Sequence, residues 1–512
     1  MKISSDLFDL IKSLGKAEKR YIKLSLSIQK GEKEYLKLFD VMDGMEIYDE
    51  HFIRHTYRKE PFAKRLHAVK NYLYGLILKS LRGYYAGKSV DARIQCLLQD
   101  SGVLYTKALY RQCSNTVNKA IALAAKYQRL PLLAEAMAWK RRIITTESFV
   151  GLTASDIDKL IAREQSVLDA LKNSSEYWKI SFGMLIMLRK KADVQTPGEV
   201  KKLDSLLQSP FMKSESRALS MEAKGHFNYI CSTYYYAKGN YRKAYFYAAK
   251  LVRLLQKEPA LIIAEPNKYI DTLNNLSVLQ VNLKQYDDSL KTIAEIRNVP
   301  GKYFSDPSED LHVRVFTRSV ELESNLYIIT GKFKEGIGMV DQIRYGLDTY
   351  GHKLGLEYVL IFYFRIAYMF FGGGQYHKSS EWLNKILTMP PVDLRTDILV
   401  LSHILNLMVH YELGHTDILG YLIKSAYRSM DKAGKVHHFE KTLLRFFGET
   451  LSENPSGGDL VKAFGTLRRQ VEKIVPAFYR KRTFEHFDII AWLDSKIQNR
   501  PFEELVREKA GK

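Results

Sequence analysis

The sequence YICSTYYYAKGNYRKAYFYAAKLVRLL, residues 229–255, contains two amphipathic segments that are separated by a short turn. Gly239 allows the positive φ angle that commonly ends a helix. Tyr241 supplies an aromatic side chain that can fill the gap between neighbouring helix pairs. Three residues later, Ala244 is small enough to let the two helices approach closely. The segment therefore predicts an α-helical hairpin.

The same turn recurs along the chain at intervals of 45, 47, 43 and 40 residues. A small residue follows the third turn position by three residues in four of the five cases, and Leu419 is the exception. The five turns are Gly239-Asn240-Tyr241, Lys284-Gln285-Tyr286, Gly331-Lys332-Phe333, Gly374-Gln375-Tyr376 and Gly414-His415-Thr416. Self-similarity at a fixed period is typical of repeat architectures. The pattern predicts consecutive helical hairpins.

This pattern resembles the tetratricopeptide (TPR) repeat family. Tyr235, Gly239, Tyr241 and Ala244 fall on the signature of that family. The period of 40 to 47 residues departs from the family norm of about 34, which implies longer helices or a relationship to other helical solenoids. The resemblance implies a right-handed α-solenoid whose concave face is formed by the first helix of each hairpin. It implies a binding surface, and it names no partner.

The composition favours the same fold class. The chain has 512 residues, of which only 13 are Pro and 30 are Gly, and 46% are hydrophobic. So few turn residues disfavour an all-β chain. We predict an all-α protein with helical caps at both ends. The predicted segments are a basic N-terminal helical domain at 1–90, degenerate hairpins at 91–226, TPR-like repeats at 227–430 and a C-terminal cap at 431–512.

The longest apolar run, YVLIFYFRIAYMFF at residues 358–371, contains Arg365 and is too short to cross a membrane, which needs roughly 20 residues. We interpret it as a buried helix. Asp6 and Asp9 interrupt the start of the chain, where a secretory signal would be apolar. The three cysteines have no disulfide or zinc spacing. The sequence predicts a cytoplasmic protein without a membrane partner.

No motif points to catalysis, to a cofactor or to a metal. His51 and His55 have metal-ligand spacing but lack the Glu of a zinc peptidase motif. The segment around Gly374 resembles a phosphate-binding loop, but His377 stands where the second glycine of that motif belongs. We therefore predict a protein that is not an enzyme and that needs no cofactor or metal ion.

Two sets of residues are candidate binding sites. The turn spacing places one set on the predicted concave face, where asparagine amides can bond both the N–H and the C=O groups of an extended peptide. The members of this set are Tyr229, Thr233, Tyr236, Asn274, Arg318, Asn325, Phe364 and Tyr368.

The second set is basic and lies in the N-terminal region, where residues 1–90 carry 18 Lys and Arg against 11 Asp and Glu. Within the segment 61–85, which we predict to be one continuous helix, the cations share a stripe with small residues. Such a stripe suits contact with phosphates, or is simply a solvated face. The candidates for nucleic-acid contact are Lys16, Lys19, Arg20, Lys64, Lys79 and Arg82.

Two functions therefore stay open at the level of sequence. The first is a non-catalytic scaffold or adaptor that binds a protein or peptide on the concave face of the repeats. The alternative is a regulator in which the basic N-terminal domain binds nucleic acid while the repeats sense a peptide or a partner protein.

Overall fold

The computed structural model describes residues 5–28, 33–190, 197–389, 396–415, 417–432, 438–450, 457–474 and 488–511. Throughout these ranges the regular secondary structure is helical, and they contain no β-strand. The all-α prediction is therefore confirmed. The chain forms two compact units, Met1–Lys179 with Ser214–His226, and Ile180–Lys213 with Phe227–Lys512.

The described residues of the first unit form nine whole helices and most of a tenth. They are α1 (Asp6–Ser13), α2 (Lys16–Ile28), α3 (Lys33–Gly44), α4 (Glu50–Thr56), α5 (Pro61–Lys64), α6 (Leu66–Tyr85), α7 (Val90–Thr106), α8 (Tyr110–Lys126), α9 (Leu130–Thr146) and α10 (Ala154–Lys190). Helix α10 continues into the second unit. A short 3₁₀ helix, Glu215–Arg217, belongs to the first unit.

The second unit begins within α10. Its described residues form the helices from α11 onward, of which α12 begins in the first unit. They are α11 (Pro197–Leu207), α12 (Met221–Ala237), α13 (Tyr241–Gln256), α14 (Pro259–Ala264), α15 (Pro266–Asn282), α16 (Tyr286–Tyr303), α17 (Glu309–Ile329), α18 (Phe333–Gly338), α19 (Val340–Tyr350), α20 (Leu356–Gly372), α21 (Tyr376–Leu387), α22 (Thr396–Glu412), α23 (Leu419–Lys432), α24 (His438–Arg445), α25 (Gly457–Ile474), α26 (Ile489–Gln498) and α27 (Phe502–Gly511). The described residues of this unit also include two 3₁₀ turns, Pro210–Lys213 and Gly351–Lys353, and a π-helical turn, Phe446–Thr450.

The predicted turns are present, and each has the same backbone geometry. The first residue of each turn has a positive φ angle, from +59° at Lys284 to +73° at Gly414. The N–H of the next residue donates to the carbonyl five positions earlier, as in the bond from Gln285 to Gln280. This is the hydrogen bond of a Schellman helix end. Thr416, the third position of the last predicted turn, lies outside the described residues.

The described part of the first unit contains three turns of this kind that the sequence pattern did not reveal. They lie at Ala108, with φ +56°, Gln128, with φ +54°, and Ser148, with φ +50°. The N–H groups of Leu109, Arg129 and Phe149 close them by donating to carbonyls five residues earlier. A search for glycine misses them because none of the three first positions is glycine.

Small residues join the two helices of a hairpin at one fixed register. Ser277 and Ser289 are hydrogen-bonded at 2.8 Å between α15 and α16, and both are fully buried. Bonds of the same register join Ser232 to the carbonyl of Ala244 at 3.0 Å and Ser379 to that of Ala367 at 2.8 Å. The predicted close approach at the small residues is confirmed.

A lysine in the left-handed region predicts a stabilising substitution. Because a side chain at φ +59° clashes with its own backbone, Lys284→Gly should stabilise the protein by about 1 kcal/mol. The matched control is Lys172→Gly. Lys172 is exposed inside α10, and its replacement by glycine should destabilise the protein by about 1 kcal/mol. Thermal unfolding of both variants shows whether each substitution raises or lowers the stability. Destabilisation by both would contradict the assigned turn geometry.

The apolar run is a buried helix, as predicted. In α20, every residue from Leu360 to Gly372 except Tyr363 is buried. Its one charged residue in this stretch, Arg365, donates to the backbone carbonyl of Glu321 and to Ser324 Oγ at 2.9 Å. These bonds give partners to a guanidinium on a residue that is only 8% exposed, which is the condition for burying such a group.

A polar cluster lies beneath the surface of the N-terminal helices. Lys70, which is only 6% exposed, donates to Glu50 at 2.8 Å and to the Tyr48 hydroxyl at 2.7 Å. Arg54 also bonds to Glu50. Burial raises the pKa of Glu50, but the hydrogen bonds from Lys70, Tyr48 and Arg54 outweigh burial and hold the pKa at about 2. Glu50 is therefore a charged partner that the buried Lys70 requires.

Candidate functional site

An ion-pair network links the first helices of consecutive hairpins. Asp271 on α15 accepts hydrogen bonds from Arg314 on α17 through both carboxylate oxygens. Arg318 Nε lies 3.5 Å from Asp271 Oδ1, and Arg318 Nη1 lies 3.3 Å from Glu321 Oε2. Arg365 on α20 extends the chain of charges, since its Nη2 lies 3.8 Å from Glu321 Oε1. We call these five residues the ion network.

The ion network has a clear physical role between the helices. Its three arginines face two carboxylates, and one guanidinium nitrogen of Arg314, Nη2, donates to both carboxylate oxygens of Asp271. Arg318, predicted as a binding residue, already has Asp271 and Glu321 as partners, and its side chain is 23% exposed. The charge of Arg318 is therefore used to pair α17 with α15 within the protein.

Two predicted asparagines lie beside the ion network. Asn274 follows Asp271 by three residues and Asn325 follows Glu321 by four, so each shares a helix face with a network residue. Both side chains are partly exposed. Asn274 Nδ2 makes a contact of 3.5 Å with the neighbouring Asn275, and Asn325 has no side-chain hydrogen bond to any described residue.

The three predicted residues of α12 occupy one stripe of that helix. Tyr229 is mostly buried, and its hydroxyl bonds to Thr233. Burial raises the pKa of Tyr229, the bond to Thr233 opposes this rise, and the charge of nearby Asp271 adds to it. Tyr236 is 38% exposed, with its ring 5.6 Å from that of Tyr241. The Tyr229 hydroxyl therefore lies within the electrostatic reach of the ion network.

The prediction that Phe364 and Tyr368 line an open surface is wrong. Each is 1% exposed. The Tyr368 hydroxyl accepts a hydrogen bond of 2.6 Å from the backbone N–H of Asp488, and its ring lies 6.4 Å from that of Phe502. Phe364 stacks on Tyr368 at 6.3 Å. The C-terminal part of the chain covers the position that a ligand would need.

The covering segment consists of α26 and α27, which we call the C-terminal pair. Trp492 Nε1 on α26 donates to Glu412 at 2.6 Å, and Lys496 lies 2.5 Å from the same carboxylate oxygen. Burial, followed by the charge of Glu412 and a hydrogen bond to it, raises the pKa of Tyr376 to about 12. Glu412 thus connects three side chains from two separate parts of the second unit.

Helix α27 lies along the turns of three consecutive hairpins. The ring of Phe502 lies 5.6 Å from those of Phe333 and Phe371. Further along the helix, Arg507 Nε donates to the Gly331 carbonyl at 3.1 Å, and the Ala510 carbonyl accepts a bond of 3.2 Å from the Tyr286 hydroxyl. A side chain at position 331 would clash with this helix, because its Cβ would lie 2.8 Å from Arg507 Cγ.

No protein-family model, curated protein or solved structure matches this chain significantly. None of its described helices is long and apolar enough to cross a membrane. Within the same described ranges, no group of three or more His, Cys, Asp or Glu side chains is placed to hold a metal ion.

The predicted basic residues differ in how far they are engaged. Lys19 is paired with Asp43 at 2.6 Å, so its charge is already balanced. The other five are exposed and make no ion pair in the described part of the chain. They are Lys16, Arg20, Lys64, Lys79 and Arg82.

The helix predicted over 61–85 is interrupted, which corrects the geometry of the basic stripe. Arg65, with φ −115° and ψ 27°, separates the short α5 from α6. Lys64 ends α5, whereas Lys79 and Arg82 lie near the end of α6. The apolar side of α6, including Leu73 and Ile77, is buried against the N-terminal helices. Lys64 therefore does not share one straight helix with the other two cations.

Sequence reasoning missed the pair Asp271 and Arg314, whose ion pair is the shortest in the ion network. The spacing of the repeat could have revealed one ion pair of the network, that between Asp271 and Arg318. Asp271 and Arg318 each lie thirteen residues before the first turn position of their hairpin, Lys284 and Gly331. Opposite charges at equivalent positions of consecutive repeats predict an ion pair between neighbouring helices. Arg314 carries no such signal, since it lies one helical turn before that position.

Proposed function

We propose that this chain is a non-catalytic, cytoplasmic scaffold or adaptor that binds a protein or peptide on a right-handed, TPR-like α-solenoid. The observation that carries the proposal is the pair of partly exposed amides, Asn274 and Asn325, beside the ion network. An amide that is not used within the protein can both donate to and accept from a peptide backbone. Cys96, Cys113 and Cys231 form no disulfide with one another, which supports a reducing compartment.

The binding surface in this proposal consists of the first helices α12, α15 and α17. The ion network holds α15 and α17 in a fixed relation, so that the two amides present a preformed pattern to a ligand. Preorganisation of this kind lowers the entropic cost of binding. Helix α20 takes no part, because the C-terminal pair covers Phe364 and Tyr368.

Substitution of the two asparagines tests this function. Peptides selected on the full-length protein from a displayed random library should bind the variant Asn274→Ala/Asn325→Ala at least about tenfold more weakly, since each lost hydrogen bond contributes about 1 kcal/mol. Isothermal titration calorimetry measures the affinity. Asn384→Ala, at an exposed position on α21, is the matched control and should bind normally.

Unfolding temperatures of the variants and of the wild type should agree, because the two amides make almost no internal hydrogen bonds. Unchanged peptide affinity in the double variant would contradict the assigned surface. Failure to select any peptide would contradict the function.

A specific observation also favours the second candidate function, a regulator with a nucleic-acid-binding N-terminal domain. Lys16, Arg20, Lys79 and Arg82 are exposed cations without an ion-pair partner in the described ranges. Charges that are not neutralised within the protein remain available to phosphates, which dominate the affinity for nucleic acid.

A further inference from the structure

Three tyrosine rings form a cluster where the start of α2 meets the end of α6. The ring of Tyr21 lies 5.2 Å from that of Tyr84, and the ring of Tyr84 lies 5.1 Å from that of Tyr85. Tyr21 is 39% exposed and Tyr85 is 42% exposed. Lys88 Nζ lies 3.8 Å from the centre of the Tyr84 ring. We call these three rings the tyrosine cluster.

The packing of α2 against α6 holds the cluster in place. The helices are antiparallel, since Ser80 bonds to Ser25 at 3.1 Å while the Tyr85 hydroxyl donates to Glu18. Gly83 permits close contact at this end, because a Cβ there would lie 3.1 Å from the Tyr21 hydroxyl oxygen. The rings are therefore anchored on two packed helices rather than on a loop.

The surroundings of the cluster are positively charged. No Asp or Glu occurs between Pro61 and Val90. Each helix that contributes a ring also contributes an exposed cation within one turn, Arg20 beside Tyr21 and Arg82 before Tyr85. One acid contacts the cluster: Glu18 accepts hydrogen bonds from the Tyr85 hydroxyl and from the backbone N–H of Gly15.

We propose that the tyrosine cluster binds single-stranded nucleic acid, with Tyr21 and Tyr85 stacking on bases while Arg20, Arg82 and Lys88 contact phosphates. The inference rests on the second proposed function and specifies its ligand. Exposed rings set among cations match what single strands offer, because unpaired bases present faces for stacking and the backbone is anionic. In a duplex the base faces are covered by their neighbours, so the rings would contribute little.

Fluorescence anisotropy with the full-length protein tests the proposal. The probes are labelled 20-nucleotide oligo(dT), 20-nucleotide oligo(rU) and a 20-base-pair DNA duplex, each titrated at several salt concentrations. At least one single strand should bind more tightly than the duplex, with an affinity that falls steeply with salt. Tyr21→Leu should weaken single-strand binding about tenfold, a loss typical of one stacked base.

Arg82→Glu should also weaken binding and lower the slope of log affinity against log salt by about one. The matched controls, Tyr345→Leu and Arg163→Glu, change an exposed tyrosine and an exposed arginine elsewhere and should bind like the wild type. If Tyr21→Leu lowers the unfolding temperature, Lys88→Glu takes its place. Lys88 is exposed and does not belong to the hydrophobic core.

The outcomes separate this inference from the function on which it rests. Duplex binding at least as tight as single-strand binding, with no loss in Tyr21→Leu or Lys88→Glu, would overturn the role of the tyrosines and leave a nucleic-acid-binding domain. Absence of salt-dependent binding to all three probes would overturn both.

Discussion

Replacement of Phe502 by alanine is expected to destabilise the second unit by about 3 to 5 kcal/mol, the usual cost of removing a buried aromatic ring. Phe502 is 9% exposed, and the centre of its ring lies 5.6 Å from the ring centres of Phe333 and Phe371. Its loss leaves a cavity between α27 and two hairpins. Thermal unfolding should show the change directly, and amide hydrogen exchange should show faster exchange in the C-terminal pair.

The matched control is Phe246→Ala, the same substitution at a position that is 55% exposed, and its expected cost is within about 0.5 kcal/mol. The comparison isolates burial, because both variants lose the same ring. Equal unfolding temperatures for the two variants would show that α27 does not pack as the structure has it.

Replacement of Glu50 by alanine should destabilise the first unit by a similar amount, about 3 to 5 kcal/mol, because it leaves the buried Lys70 without its carboxylate. Restoring an apolar environment should recover part of this loss, so the double variant Glu50→Ala/Lys70→Met is expected to be more stable than Glu50→Ala alone. Glu46→Ala removes an exposed glutamate close by and serves as the control, with a cost within about 0.5 kcal/mol. A Glu50→Ala variant as stable as this control would refute the buried pair.

The same cluster predicts an acid transition. The pKa of Glu50 is about 2 in the folded protein and 4.5 as an isolated group. A depressed carboxyl pKa stabilises the folded state above pH 4.5, and this stabilisation is lost as the pH falls toward 2. The difference corresponds to about 3 kcal/mol. Unfolding temperatures of the wild type should fall over this range, and those of Glu50→Gln should lack this part of the fall.

If the unfolding temperature of Glu50→Gln falls with pH as steeply as that of the wild type, the acid transition belongs to other groups. Performed together, the Phe502 and Glu50 experiments examine one long-range contact in each compact unit. Neither depends on the identity of a ligand.

The features that the sequence predicted correctly all depend on residues close together in the chain. The helical content, the turns at Gly239 and Gly374 and the small residues at Ala244 and Ser379 follow from backbone sterics and from periodic patterns. The buried helix α20 followed from a run of apolar residues. Local conformational preferences and spacing suffice for such features, because the groups involved are neighbours or lie one hairpin apart.

The tertiary structure alone decided which of the candidate residues are accessible. Phe364 and Tyr368 occupy the expected helix, but a segment more than 100 residues later in the chain covers them. Asp271 and Arg314 are 43 residues apart and meet only because α15 packs beside α17. The turns at Ala108 and Gln128 form without glycine, since the Schellman hydrogen bond and the packing of the flanking helices offset the strain of positive φ. Burial and charge pairing depend on contacts between distant segments, and a pattern read along one segment does not contain them.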